Sequence, residues 1–211
     1  MTAAASKDLI VLVADKNTEF SIRGLLSKRS SSLRIRPLLF DIFVHPQRDP
    51  GCLRLAHDFL RPYSTRYRHA LVVLDRDGCG QEHRKKRTEL EQQIEERLIQ
   101  SGWAGRAAAV VIEPELEIWV WSQSPHVDVT LGWQGRSPGL REWLIESKLL
   151  DAHDVKPGDP KRAVEEALRV ARKARSSNLY LELSSSVSFE GCKDEAFLKL
   201  RQTLAHWFGL R

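Results

Sequence analysis

A short apolar run that ends in two carboxylates constrains this chain more than any other stretch. Residues 70–74 read ALVVL, and such an unbroken apolar run predicts a strand buried on both faces of a sheet. Asp75, Asp77 and Gly78 follow it directly. Two carboxylates at a buried strand end can present hard oxygen ligands to Mg²⁺, and Gly78 lets the backbone turn away. The alternative is an ordinary strand-ending turn, in which Asp and Gly are common residues.

Strands and helices alternate along the first half of the chain. Apolar runs predict further strands over residues 9–14, 35–44 and 107–112, and amphipathic patterns predict helices over residues 19–29, 53–60 and 81–100. The connections between the strands are too long for hairpins, so the strands are expected to be parallel. We therefore expect an α/β fold, in which a three-layer arrangement places helices on both faces of one parallel sheet.

The second half of the chain has a different pattern. Residues 124–139 are rich in Pro and Gly and predict a long loop. Amphipathic patterns then predict helices over residues 140–149, 161–175 and 194–208. We expect residues 1–122 to form the core of the fold, and residues 123–211 to form a loop and a helical C-terminal extension that packs on that core.

Composition excludes several classes of protein. The chain has 211 residues, of which 42% are hydrophobic and 29% are charged, as is typical of a globular domain. No apolar run approaches the ~20 residues of a membrane span, so we expect no membrane association. The three cysteines form no C-x-x-C pattern, which favours a reducing cytoplasm over a disulfide scaffold or a zinc knuckle. A net charge of +5 permits nucleic-acid binding without requiring it.

Acidic residues follow every predicted strand, and after three of the four they come in groups of two or more. The polar residues at the four strand ends are Asp15 and Glu19, then His45, Arg48 and Asp49, then Asp75 and Asp77, and finally Glu113, Glu115 and Glu117. The carboxyl ends of parallel strands meet at one edge of a sheet, which is where ligands bind. Helix capping explains part of this pattern, because acids are favoured in a first helical turn. Several like charges in one cleft raise one another's pKa unless a cation neutralises them. An all-oxygen set suits Mg²⁺ or Mn²⁺, whereas zinc prefers Cys or His.

These motifs resemble the Toprim fold, the metal-dependent catalytic domain of topoisomerases, primases and overcoming-lysogenization-defect nucleases. Asp75 and Asp77 match the Asp-x-Asp of that family. The sequence is most similar to small Toprim-like proteins of bacterial defence islands, including the RloB-like group, which carry a strand-end V-E-G-x-T-E and a downstream P-x-aromatic-E-x-W. The residues that match these two motifs are Thr18 and Glu19 in the first, and Pro114, Glu117 and Trp119 in the second.

The first motif also contains two departures from the family pattern. Asp15 stands where the family has Glu, and Lys16 stands where it has Gly. The second motif has Leu116 at the aromatic position, and it assigns Glu117 to the site in preference to Glu113 and Glu115. The wider sequence resembles the small Toprim-like component of methylation-associated anti-phage defence systems.

The resemblance implies a metal-dependent nuclease that hydrolyses phosphodiesters in a defence system. Asp75 and Asp77 would hold Mg²⁺ or Mn²⁺, and Asp15, Glu19 and Glu117 would complete one or two metal sites. The expected catalytic residues are Asp15, Lys16, Asp75 and Asp77, with Lys16 neutralising charge in the transition state. The implied partners are nucleic acid, with DNA favoured over RNA, and other proteins of the defence system.

Two alternatives remain open from the sequence. Lys16 can also pair with an acid and hold the site without metal, which would make the chain a non-catalytic module that binds nucleic acid or partner proteins. The segment LVVLDRDG further resembles the nucleophile strand of haloacid-dehalogenase-type phosphatases. In that chemistry Asp75 would attack phosphorus and Asp77 would act as acid and base.

Six tryptophans are the last feature with two interpretations. Four of them lie close together in sequence: Trp119, Trp121, Trp133 and Trp143. Such side chains can stack on nucleic-acid bases. We expect them instead to pack into the core around the loop at residues 124–139.

Overall fold

A four-stranded parallel sheet forms the centre of the computed structural model, which describes residues 7–122, 124–188 and 191–210. The strand order is β2-β1-β3-β4, and all neighbouring pairs are parallel. The strands are β1 (Lys7–Val13), β2 (Phe40–Val44), β3 (Tyr67–Asp75) and β4 (Ala107–Ile112). The long apolar strand that ends in Asp75 thus lies inside the sheet, between β1 and β4.

Helices cover both faces of this sheet, which confirms the predicted three-layer α/β fold. The helices are α1 (Lys16–Lys28), α2 (Arg48–Leu60), α3 (Arg87–Leu98), α4 (Pro125–Thr130), α5 (Leu140–Glu146), α6 (Pro160–Ala171), α7 (Ser177–Ser186) and α8 (Glu195–Phe208). Shorter helical turns lie at Arg61–Tyr63, Ile99–Trp103 and Leu116–Trp119. Every helix in the described ranges is too short or too polar to traverse a lipid bilayer.

Alternate residues of each strand belong to two separate apolar cores. Leu9 and Val11 of β1 pack on one face, with α1, α7 and α8. Ile10 and Leu12 pack on the other face, with α2 and α3. All four side chains are fully buried, and each contributes roughly 1.5–3 kcal/mol relative to an exposed position. Because both faces are covered, the strands carry apolar residues at consecutive positions rather than at alternate ones.

The helical C-terminal part packs on the same core as α1. Leu179, Tyr180 and Phe197 belong to the apolar cluster that also contains Leu9. Helices α1 and α7 meet closely at Gly24, where an added Cβ would lie 2.0 Å from Ser184 Oγ. A glycine at this position therefore permits the close approach of the two helices.

The outer edge of β4 is covered by acidic side chains of α3. The backbone N–H groups of Ala109 and Val111 donate to Glu95 (2.9 Å) and Glu91 (3.0 Å). Lys199 of α8 pairs with both glutamates, at 2.8 and 3.1 Å. These contacts satisfy edge groups that would otherwise be free to pair with another chain. Glu91 is therefore buried, although the sequence predicts a solvated polar face there.

Several element boundaries differ from the sequence prediction. Strand β2 begins at Phe40 rather than at residue 35, because Pro37 has no N–H and the N–H of Leu39 donates to the Asp8 carboxylate. Helix α2 begins at Arg48, since Pro50 is tolerated in a first helical turn and Gly51 packs against the His45 ring.

Three further boundaries also differ. Helix α3 begins at Arg87, after turns over residues 81–86, and Glu89 accepts from the Lys86 N–H at its start. The predicted loop at residues 124–139 contains helix α4, and helix α7 is absent from the prediction.

The prediction that the four tryptophans pack into the core is confirmed. Trp121 and Trp133 are buried, and Trp119 and Trp143 pack against the same cluster. The indole N–H of Trp121 donates to the Pro160 carbonyl at 3.0 Å, so its polar end is satisfied as well.

Candidate metal centre

The ends of β3 and β4 bring two sequence-distant acidic segments together. Asp75 is paired with Ile112 in the sheet register. The backbone contact continues beyond the strands, where the N–H of Arg76 donates to Ile112 (2.8 Å) and the N–H of Asp77 donates to Pro114 (3.0 Å). The chain after β4 is thereby held beside the end of β3. The turn that follows is a short helical turn from Leu116, and not the helix starting at Pro114 that the sequence predicts.

Three carboxylates converge at this point. One oxygen each from Asp75, Glu115 and Glu117 lies within 4.8 Å of the other two. Glu117 is only 3% exposed. Asp75 Oδ1 is buried and has no hydrogen-bond partner among the described residues. A buried acceptor without a donor is costly, and a cation is one kind of group that can compensate it.

The electrostatics of this cluster favour the uptake of positive charge. Burial raises the pKa of Asp75 well above its ordinary value, and the nearby carboxylates of Asp49 and Glu117 raise it further. Burial and Glu117 also raise the pKa of Glu115, against the opposing effect of Lys161. Raised pKa values of neighbouring acids mean that the ionised forms are insufficiently compensated by the protein itself.

The donor set fits a hard divalent cation. All three ligand atoms are carboxylate oxygens, and the buried Asp75 Oδ1 lacks a donor within the described ranges. Mg²⁺ and Mn²⁺ prefer oxygen ligands, so these residues suit the cations that the sequence predicts. Glu115 belongs to this set, although the sequence places it outside the site.

Side chains from the C-terminal part hold Glu117. The Tyr180 hydroxyl donates to Glu117 Oε1 at 2.5 Å, and Arg175 Nη2 donates to the same oxygen at 2.5 Å. Arg175 also pairs with Glu165. Lys161 lies 3.4 Å from Glu115. The core of the fold therefore supplies the carboxylates, and residues beyond position 160 supply the groups that contact them.

Asp49 fixes the backbone at the end of β3. It lies in the first turn of α2, and its Oδ1 accepts the N–H of Asp75 at 2.8 Å. Burial raises the pKa of Asp49, and the charge of Asp15 adds to that effect. Asp49 is thus the acid after β2 that contacts the end of β3.

The predicted residues at the end of β1 have partners of their own. Asp15 Oδ1 caps α1 by accepting from the Thr18 N–H (2.8 Å) and hydroxyl (2.9 Å). Glu19, which is 7% exposed, pairs with Lys16 at 2.6 Å and with Arg23 at 2.9 Å. Burial raises the pKa of Glu19, but the two cations outweigh that effect and hold it below its ordinary value. Asp15 is still near enough to raise the pKa of Asp75.

The remaining acids lie at the surface. Asp77 is exposed, and its charge contributes to the raised pKa of Glu115. Glu113 is exposed and pairs with Arg76 at 2.7 Å. Of the predicted metal ligands, the structure brings Asp75 and Glu117 into one cluster, places Asp15 and Asp77 around it, and gives Glu19 a separate pair of cations.

Sequence reasoning missed three residues that contact the cluster, and it named a fourth, Asp49, at a strand end without assigning it a role. Asp49 follows a predicted strand, which is a usable signal, because acids at that position lie at the shared sheet edge. Lys161, Arg175 and Tyr180 carry no such signal, since they lie at least 40 positions from the acids they touch. Comparison of the chain with protein-family models, with curated proteins and with solved structures gives no match.

Proposed function

We propose that this protein is a Mg²⁺- or Mn²⁺-dependent hydrolase of phosphodiester bonds in nucleic acid, with Asp75, Glu115 and Glu117 as the residues that hold the cation. The buried, unpartnered Asp75 Oδ1 beside two further carboxylates carries this proposal. A cation is the economical way to compensate such a group, because several carboxylates cannot all stay ionised in one enclosed site without one.

Each residue of the centre has a defined part in this proposal. The bound cation would polarise the phosphate and lower the pKa of a water molecule. Asp75 is held at its backbone by Asp49, and Glu117 is oriented by Tyr180, while Arg175 contacts the same oxygen in the metal-free protein. Such supporting contacts fix ligand geometry, and their loss typically lowers metal affinity by about 10- to 100-fold.

The biological setting is proposed from the resemblance of the motifs. Asp75 and Asp77, with Pro114, Glu117 and Trp119, match the pattern of Toprim-like defence proteins. We infer on this basis that the chain acts in bacterial anti-phage defence beside partner proteins.

A non-catalytic Toprim-like module is the second candidate, and one observation favours it. The Lys16–Glu19 ion pair at 2.6 Å is the arrangement by which a lysine could replace a metal at the end of β1. The phosphatase alternative has less support, because Asp77, which would act as its acid and base, is exposed and is not one of the three clustered carboxylates.

Calorimetry with Mn²⁺ and a cleavage panel together test the proposal. The panel contains single- and double-stranded DNA and RNA with Mg²⁺ or Mn²⁺, and the variants are Asp75→Asn and, as a matched control on an exposed acid, Asp151→Asn. We expect Mn²⁺ binding and cleavage in the wild type and in Asp151→Asn, and neither in Asp75→Asn. Binding of Mn²⁺ without cleavage of any nucleic acid, alone or with partners, would favour the module. No Mn²⁺ binding would refute the metal centre.

A further inference from the structure

Lys161 and Arg175, which lie in and just after helix α6, both contact the acidic cluster. Lys161 lies in the first turn of α6, 3.4 Å from Glu115. Arg175 lies four residues past the end of that helix, 2.5 Å from Glu117. The Lys161 side chain is 49% exposed and that of Arg175 is 30% exposed, so both cations sit between the cluster and solvent.

The segment that supplies these cations has a net charge close to that of the whole chain. Residues 160–175 contain six basic and two acidic side chains, an excess of four positive charges, whereas the whole chain has a net charge of +5. The apolar side of α6 is fully buried in the core. Its exposed side, here called the basic face of α6, carries Lys161, Arg162 and Arg169, with Arg172 as the C-cap residue. Glu165 and Glu166 lie on the same side, and Glu166 pairs with Arg169 at 2.7 Å, so the net charge of this face is +2. This basic face of α6 is therefore continuous with the acidic cluster through Lys161.

The charge balance of the cluster depends on what the glutamates bind. Glu115 and Glu117 now attract Lys161 and Arg175. Once these glutamates ligate a divalent cation, they have less negative charge left for an adjacent ammonium or guanidinium group. Lys161 and Arg175 would then sit beside a cation and require another anion. A phosphate of the substrate is the anion that such a site would meet.

We propose that Lys161 and Arg175 are nucleic-acid phosphate-binding cations, held on Glu115 and Glu117 in the metal-free protein and transferred to the substrate backbone when metal binds. The basic face of α6 then extends the backbone contact away from the cluster. This inference rests on the proposed metal-dependent function. It adds the substrate-binding surface and an order of events, in which metal binding precedes tight nucleic-acid binding.

The length of the basic face suits a polynucleotide. Helix α6 has 12 residues and is therefore about 18 Å long. One nucleic-acid strand carries a phosphate about every 3.4 Å of helix axis, so the face spans several phosphates. Phosphate contacts of this kind bind the backbone irrespective of base sequence.

The test measures two affinities in the same variants. Mn²⁺ affinity is measured by calorimetry without nucleic acid. Binding of labelled single- and double-stranded DNA and RNA is measured by fluorescence anisotropy, with EDTA and with Ca²⁺, which also takes oxygen ligands. The variants are Lys161→Met, the charge-retaining Arg175→Lys, and the control Arg54→Met, whose exposed side chain lies on α2 at the other face of the sheet. Thermal melts confirm that each variant is folded.

The proposal predicts that the loss of Lys161 weakens nucleic-acid binding without weakening Mn²⁺ binding. In Lys161→Met, nucleic-acid affinity in Ca²⁺ should fall on the order of tenfold, and the salt dependence of binding should lose about one unit of slope. Mn²⁺ affinity should stay the same or rise, because a competing cation is gone. Wild-type nucleic-acid affinity should be higher in Ca²⁺ than in EDTA. Arg54→Met should match the wild type, and Arg175→Lys should retain most nucleic-acid binding.

Three results would overturn the proposal. If Lys161→Met lowers Mn²⁺ affinity and leaves nucleic-acid affinity unchanged, Lys161 only positions Glu115. If the wild type binds Mn²⁺ but no DNA or RNA, the basic face is not a nucleic-acid surface, and the metal centre stands without it. If the wild type binds no Mn²⁺, the metal centre itself fails, and the inference falls with it.

Discussion

Two groups of acids lie along the same edge of the sheet and have opposite electrostatic character. At the end of β1, Glu19 is buried against Lys16 and Arg23, and its pKa is held below the ordinary value. At the ends of β3 and β4, Asp75 is partly buried beside Glu117 with its Oδ1 enclosed, and its pKa is raised well above the ordinary value. In the sequence, both groups appear as acids that follow an apolar strand. Only the second contains an acid whose ionised form the protein leaves poorly compensated.

The difference arises from the elements on which the acids lie. Glu19 lies within a helix, so residues three before it and four after it share its face and can supply the cations. Asp75 lies at the last position of a strand, whose side chains alternate between faces and give it no such neighbours. Compensation for Asp75 must come from distant parts of the chain or from a bound ion. A carboxylate at a strand end is therefore the better candidate ligand than one inside the following helix.

The largest expected effect contrasts these two acids directly. We predict that Asp75→Asn lowers Mn²⁺ affinity by at least about 100-fold, since it removes a ligand rather than a supporting contact. Glu19→Gln should change Mn²⁺ affinity less than about threefold, because Glu19 already has two cations. Calorimetry at fixed pH measures both. Equal losses in the two variants would show that the ends of β1 and β3 form one metal site.

The second effect concerns how Glu117 is held. Tyr180→Phe removes one hydroxyl that donates to Glu117 Oε1, and we expect Mn²⁺ affinity to fall about tenfold. Tyr63→Phe, on the far side of the sheet, is the matched control and should leave the affinity unchanged. A Tyr180→Phe protein that binds Mn²⁺ as the wild type does would mean that the Tyr180 hydroxyl does not orient Glu117 for the metal.

The layered fold was predictable because its signals are local. Apolar runs at residues 70–74 and 107–112 are buried on both faces, and the connections between strands are too long for hairpins, so the parallel sheet follows. The convergence of Asp75 with Glu117 could also be predicted from the sequence, since the ends of adjacent parallel strands meet at one edge of the sheet.

The side-chain contacts around the carboxylates were harder to predict from the sequence, because they join segments that are far apart in the chain. Tyr180 touches Glu117 from α7, a helix whose Ser-rich sequence SNLYLELSSS gives a weak amphipathic pattern. Glu115 differs from the prediction because the turn begins at Leu116 instead of forming a regular helix from Pro114. The side-chain directions in that turn depend on backbone detail that a periodic pattern does not carry.

The third effect is the pH dependence of stability in the metal-free protein. As pH rises, the acids at the ends of β3 and β4 should lower the free energy of unfolding, whereas Glu19 at the end of β1 should raise it. The folded-state pKa of Asp75 is raised above 3.8, so its contribution to stability is present below that pH and is lost as pH rises toward the folded value. The loss amounts to about 1.4 kcal/mol for each pH unit between the two pKa values. Burial raises the pKa of Asp49 and Glu115 as well, so they act in the same direction.

Glu19 provides the opposite case. Its folded-state pKa is lowered below 4.5, so its contribution is present above that pH and is lost as pH falls through the folded value. Urea unfolding between pH 4 and pH 8 in EDTA measures both. The measurement is extended down to pH 2, because the Glu19 contribution is lost only below its unfolded-state pKa of 4.5. We expect Asp75→Asn to flatten the loss of stability toward high pH, and Glu19→Gln to weaken the protein above pH 4.5 and to match the wild type at the lowest pH. Parallel changes in the two variants would contradict the contrast.

The smallest effect separates the two roles of Asp15, which caps α1 and also lies near Asp75. The Asp15 carboxylate accepts from the Thr18 N–H at 2.8 Å, and losing such a cap costs about 1 kcal/mol. Asp15→Ala should therefore lower the free energy of unfolding by about that amount. Asp15→Asn keeps an acceptor at the cap and should stay within a few tenths of a kcal/mol of the wild type.

Mn²⁺ affinity then tells the roles apart, because Asp15→Asn removes the charge while leaving the cap. If Asp15 only caps the helix, Asp15→Asn should bind Mn²⁺ within a fewfold of the wild type, reflecting the loss of one nearby negative charge. If Asp15 ligates the metal, as the family resemblance implies, the loss should approach that of Asp75→Asn although the stability is unchanged. The geometry favours the first result, since Asp15 Oδ1 is already engaged by two donors of Thr18, whereas Asp75 Oδ1 lacks a partner in the described chain. A cap and a ligand need the same oxygens, and an acid that satisfies a helix end has less capacity left for a cation.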